Sequence, residues 1–110
     1  MGEIQALGDF EQLVLLGVLQ GGAEAYGVPI WRELENRTGR RVSLAAVYKT
    51  LDRLETKGLV RSARGEPTAE RGGRSKRLYR VTTSGMRTLR ASLSALARMA
   101  AGLEVELGTR

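Results

Sequence analysis

Met86, Leu89, Leu93, Leu96, Ala100, Leu103 and Leu107 recur in steps of three and four, a heptad seam sustained for three repeats. A continuous helix over 83–107 would extend about 36 Å at the usual rise of 1.5 Å per residue. A chain of 110 residues has too small a core of its own to cover so long an apolar stripe. The seam could pack in part on the chain's own first helix, but a second copy is expected to cover the rest. The expected assembly is a two-fold homodimer held through Met86, Leu89, Leu93, Leu96, Ala100 and Leu103, packing on their counterparts and on the partner's first helix.

The rest of the chain is short enough for one domain, and three helical segments precede a change of period. Residues 9–20 carry Phe10, Leu13, Val14, Leu16 and Leu19 near helical spacing, with Asp9 placed to cap the start and Gly21-Gly22 to end it. This helix is apolar on most sides and should be largely buried. A second helix is expected over about 25–38, beginning near Tyr26 so that Pro29 falls in the first turn, with Gly39 as its C-cap. Ile30 and Leu34 would then face the core. Ser43 opens a third helix that continues to Lys57 and stops at Gly58. Leu44, Val47, Leu51 and Leu54 line its inner side. Ala45, Lys49, Asp52, Arg53 and Thr56 fall on the outer side, with Tyr48 at the margin.

Residues 59–64 and 76–82 are short and β-compatible. The Gly- and Pro-rich run between them, 65–75, reads as the tip of a hairpin. The order is three helices, two strands and a terminal helix. The fold class is mainly α, an α+β winged helix: a three-helix helix-turn-helix core and a two-stranded wing over 1–82, then a long C-terminal dimerisation helix over 83–110.

Charge is distributed unevenly along this order. Residues 1–39 carry a net −4, residues 40–90 carry +10 and residues 91–110 are neutral. The hairpin from Arg61 to Arg80 alone holds seven basic and two acidic residues. A basic middle third of this kind is the footprint of a polyanion-binding surface. In a helix-turn-helix, the second helix of the pair enters the DNA major groove, N-terminal end first. Here that helix offers small Ala45 and Ala46 for close approach, Ser43 with free backbone N–H groups for a phosphate, Tyr48 beside them, and Lys49 and Arg53 one turn apart for guanine edges. Arg71, Arg74, Lys76 and Arg77 suit the wing to clamping a phosphate backbone or entering the minor groove. The expected partner is double-stranded DNA.

Composition excludes several other classes. The chain has no His and no Cys. It therefore lacks the commonest general base, thiolate chemistry, disulfides and Cys-built zinc sites. No nucleophile–base pair, metal cluster or long Gly-rich phosphate motif is present, so no catalytic residue, metal ligand or cofactor is assigned. No apolar run approaches the roughly 18 residues that span a bilayer, and the N-terminus lacks the basic start of a signal peptide. A cytoplasmic protein without membrane contact is expected. Double-stranded RNA is disfavoured because its deep, narrow major groove excludes a reading helix. The alternative is a winged-helix module that docks protein without reading DNA, distinguished by its insensitivity to salt.

The residues also carry a resemblance. Leu7-Gly8-Asp9-Phe10-Glu11, Ala25-Tyr26-Gly27, Ser43-Leu44-Ala45-Ala46-Val47-Tyr48, the run from Leu51 to Val60 and Tyr79-Arg80-Val81-Thr82-Thr83-Ser84-Gly85 stand in one order across nearly the whole chain. In these the chain resembles a short-form PadR-type transcriptional regulator. The resemblance implies a homodimer held by the C-terminal helix, DNA binding through the third helix and wing, and, as a rule, repression. Where members of that family often have Leu-Tyr-Pro, this chain has Val47-Tyr48-Lys49, so the operator does not carry over. Some members bind flat aromatic compounds between protomers, certain of them with aromatic residues of the terminal helix. Residues 83–110 contain no aromatic side chain, and the only Trp is Trp31 in the second helix. A small-molecule effector is an open partner of undefined chemistry.

Overall fold

In the computed structural model, which describes residues 6–67 and 75–108, the chain runs α1 (Asp9–Gly21), a 3₁₀ turn (Gly22–Glu24), α2 (Gly27–Thr38), α3 (Leu44–Thr56), β1 (Val60–Pro67), β2 (Ser75–Val81), α4 (Thr83–Ala100) and a short α5 (Glu104–Leu107). The two strands form one antiparallel ribbon. This is the winged-helix order that the change of period announces.

The core collects the inner faces of all these elements. Val14, Leu15 and Val18 of α1 meet Ile30 and Leu34 of α2 and Val47, Leu51 and Leu54 of α3; Leu59, Val60 and Tyr79 seal the base of the ribbon and Leu89 brings in α4. Burial of these apolar side chains, each worth about 1.5–3 kcal/mol, fixes how the helices cross.

The start of α1 differs from the expected cap. Gly8, not Asp9, is the N-cap residue, and the Gly8 N–H donates to Glu11 Oε1 at 2.9 Å. Asp9 lies inside the first turn and instead pairs with Arg40 at 2.8 Å. Glu11 takes over the capping work and also has a half-buried partner: Lys57 Nζ lies 2.8 Å from Glu11 Oε2, closing α1 against the end of α3. The second helix starts two residues later than the expected 25, with Pro29 in its first turn and Gly39 at φ 72° as C-cap.

The terminal helix is shorter than the seam implies. α4 ends at Ala100, Gly102 adopts φ 86°, and only one further turn follows, over Glu104–Leu107. The continuous 83–107 helix is therefore corrected to an 18-residue helix of about 27 Å. Ala100, Ala101 and Gly102 carry too little side chain to hold the turn by packing, and Gly enters the left-handed region at no steric cost. Likewise β1 continues to Pro67, through residues that composition assigns to the hairpin tip, with an irregularity in register between Arg64 and Pro67.

Candidate nucleic-acid interface

α3 forms as an amphipathic helix because Ser43 caps it and every third or fourth residue is apolar. Ser43 Oγ accepts from the Ala46 N–H at 3.0 Å. The turn before it is clasped by α2. Trp31 Nε1–H donates to the Val42 carbonyl at 2.8 Å, and the Val42 N–H donates to Glu35 Oε2 at 3.0 Å. Trp31 is thus a structural strut between the two helices of the helix-turn-helix.

Tyr48 lies over the beginning of α2. A Cβ built on Gly27 would stand 2.2 Å from the Tyr48 hydroxyl oxygen, so the ring occupies space that only glycine leaves open. The ring remains 41% exposed. Beside it a shallow concavity of about 590 Å³ runs along the outer side of α3, lined by Ser43, Ala45, Ala46, Tyr48, Lys49 and Asp52. Arg53 is exposed but lies outside this lining. Its charge acts towards α1, where it helps to hold the Glu11 carboxyl below its ordinary range. Burial alone would raise Glu11; the hydrogen bonds from Lys57 and the Gly8 N–H, with the charges of Lys57 and Arg53, outweigh it.

The ribbon is fastened at its base from two sides. The Tyr79 N–H donates to the Ala25 carbonyl at 2.8 Å, which ties the segment before α2 to β2. Arg77 Nη1 donates to Ser62 Oγ at 2.8 Å, and the Ser62 hydroxyl donates to the Glu55 carboxylate. That chain links the wing to α3. Lys76 Nζ donates to Tyr26 Oη at 3.1 Å and sits 4.4 Å from the ring centroid, a cation–π contact at the start of α2. Register sets Arg61 opposite Arg80 and Arg64 opposite Arg77. Arg61, Arg64, Arg77 and Arg80 are all exposed. The expected wing residues Arg71 and Arg74 lie outside the described residues. The Lys57–Glu11 and Arg77–Ser62–Glu55 links join residues up to 46 positions apart and leave no local pattern by which to find them.

The dimerisation residues divide by exposure. Leu89 is buried in the chain's own core and Met86 and Ala100 are half-buried, whereas Leu93, Leu96 and Leu103 are exposed, with Met99 and Leu107 beside them. α4 reaches α1 through Ser92 Oγ and Gln12 Oε1, 2.9 Å apart. Among the described residues there is no cluster of acidic side chains fit to hold a metal ion, and no helix is long and apolar enough to cross a membrane.

Comparison with known proteins bears on what this surface serves. The model of the PadR-like family of transcriptional regulators matches residues 15–91, most of the chain. The chain belongs to that family. Transcriptional regulator Rv3488 of Mycobacterium tuberculosis is 39% identical over 82 residues, 72% of each chain. A PadR family transcriptional regulator from Eggerthella lenta is 28% identical, with a TM-score of 0.65 over 90% of this chain and 84% of that one. The PadR-like regulator from Bacillus cereus matches in fold, with a TM-score of 0.69 at 20% identity over 92% of this chain and 93% of its own. The protein is thus a PadR-family transcriptional regulator and not an enzyme, and membership in a DNA-binding family makes DNA its partner.

Proposed function

We propose that this PadR-family regulator binds duplex DNA sequence-specifically as a homodimer and acts as a repressor at an inverted-repeat operator. The observation that carries this reading is the outer side of α3: an open concavity with small residues at its N-terminal end and Lys49 standing free of any ion pair among the described residues. In this reading, residues 1–82 form the DNA-binding unit and 83–110 the dimerisation element. Ser43, Ala45, Ala46, Tyr48, Lys49 and Arg53 meet the major groove, while Lys76 and Arg77, with Arg71 and Arg74, contact phosphates. The exposed Leu93, Leu96 and Leu103 support pairing of two copies, because α4 extends past the core that covers Leu89. Two reading helices about a two-fold axis require half-sites about 10–10.5 base pairs, or a multiple, apart.

Selection of bound sequences from random duplex DNA with the purified protein tests this. A palindromic motif with that spacing, bound more weakly as salt rises, is the expected result. Recovery of no motif, with binding insensitive to salt, would overturn it. Repression is tested by placing the selected site across a promoter and measuring transcription with and without the protein.

A further inference from the structure

Asp52 is an acidic side chain on a face that must approach a polyanion. It lines the concavity together with Lys49, three residues earlier and therefore on the same side of α3. Both side chains are exposed, and neither forms an ion pair or hydrogen bond among the described residues, although i, i+3 spacing would permit one. Lys57 and Glu11 hold each other, Glu55 is occupied by Ser62, and Asp9 by Arg40. Among the described residues Asp52 is left exposed and without an ion pair beside an equally unpaired Lys49, its charge felt inside the fold by the buried Tyr79 hydroxyl, whose pKa it helps to raise.

A carboxylate on such a face repels phosphate, and its favourable targets are hydrogen-bond donors. The major groove offers only two, cytosine N4 and adenine N6. Adenine N6 lies between two acceptors, N7 of the same base and O4 of the paired thymine, both of which a carboxylate meets lone pair to lone pair. Cytosine N4 has one acceptor neighbour, O6 of the paired guanine, and that atom with N7 is what a lysine ammonium seeks. The edge of a G·C pair therefore presents acceptors to Lys49 and a donor to Asp52.

We propose that Lys49 and Asp52 together read one G·C base pair, with Asp52 the residue that specifies its cytosine. This rests on the reading of α3 as the major-groove helix. The carboxylate keeps the helix from settling on phosphate and makes one base pair depend on both side chains.

The test uses the full chain and selection from random duplexes, repeated with Asp52→Ala, Asp52→Asn and Lys49→Ala. Wild type should show one strongly preferred G·C column in each half-site. Asp52→Ala should lower that preference by on the order of tenfold. Asp52→Asn should shift the same column from cytosine towards adenine, since an amide pairs with adenine N6 and N7. Lys49→Ala should relax that same column and no other. Trp31 emission and thermal melting confirm the fold of each variant. If both Asp52 variants retain the wild-type motif, or bind every sequence more tightly by one common factor, Asp52 is only a repulsive charge and the proposal is wrong. If wild type selects no motif, the major-groove reading fails with it; a wild-type motif with an unmoved column refutes the base-pair assignment alone.

Discussion

Replacing Lys57 by Met isolates the ion pair that closes α1 against α3. The Glu11 side chain is 8% exposed and Lys57 29% exposed, so the acid is effectively inside and the base half outside. Removing one member of a buried pair costs about 3–5 kcal/mol, because the other charge is stranded. Here the Gly8 N–H still holds Glu11 Oε1 and water reaches the Lys57 end, which puts the expected cost below that range, about 2–3 kcal/mol at pH 7. For a chain of this size that lowers the melting temperature by roughly 10–20 °C. Its pH dependence is more diagnostic. In the native chain the Glu11 carboxyl is held below its ordinary value of 4.5. A group with a depressed folded-state pKa contributes stability that is present above the unfolded value and is lost as pH falls through the folded value. In the Met variant Lys57 no longer opposes burial, so the carboxyl rises and the stability that its ionisation contributes shrinks, with only the Gly8 N–H and the Arg53 charge left to hold it down. The gap between native chain and variant should therefore be widest near pH 7 and shrink towards pH 4. Urea unfolding followed by circular dichroism at both pH values, at one protein concentration, measures it. A gap that is equal at the two pH values, or a cost below about 0.5 kcal/mol at pH 7, would refute the assignment of this pair as a buried clamp.

Three further outcomes are expected. Gly85→Ala places a Cβ 2.1 Å from the Leu59 carbonyl oxygen, a backbone atom that has little room to move, so the variant should lose about 3 kcal/mol in denaturant unfolding. Leu93→Glu with Leu96→Glu should sediment as a monomer with its melting transition still cooperative, since both side chains are exposed in the single chain. Lys76→Ala with Arg77→Ala should weaken operator and scrambled duplexes alike and flatten the log–log salt dependence by about two units per protomer, roughly four for the dimer, a change that binding across a salt series would reveal.

The fold was legible where local chemistry and period agree. Ser43 with its apolar spacing, Gly39 and Gly58 as stops, and the switch from helical spacing to short β-compatible stretches from Leu59 on all describe what the chain does. Legibility failed where a long-range partner or a lack of side chain decides. Glu11 displaces Asp9 at the first cap because Lys57 lies across from it, 46 residues away. The seam through Ala100, Leu103 and Leu107 keeps its spacing beyond the helix that should carry it, because periodicity does not register the weak hold of Ala101 and Gly102. At the candidate site, the outer face of α3 was readable as a face. Helical angles alone did not separate Arg53, which lies outside the concavity, from Asp52, which lines it. The fastening of the wing through Ala25, Tyr26 and Ser62 needed the folded chain.

The rungs of like charge across the ribbon give the free and bound states opposite responses to ionic strength. Arg61 faces Arg80 and Arg64 faces Arg77, and like charges directly opposite on paired strands repel. In the free protein added salt shortens the reach of that repulsion, to about 10 Å at 0.1 M, and so tightens the hairpin. In the proposed complex with DNA the phosphates supply the neutralising charge themselves, and salt competes with them. Amide hydrogens of the ribbon should therefore exchange more slowly as salt is added to the free chain and faster as it is added to the complex. In the function proposed above, the polyanion relaxes that repulsion, and the hairpin adds to the binding free energy before any base is touched.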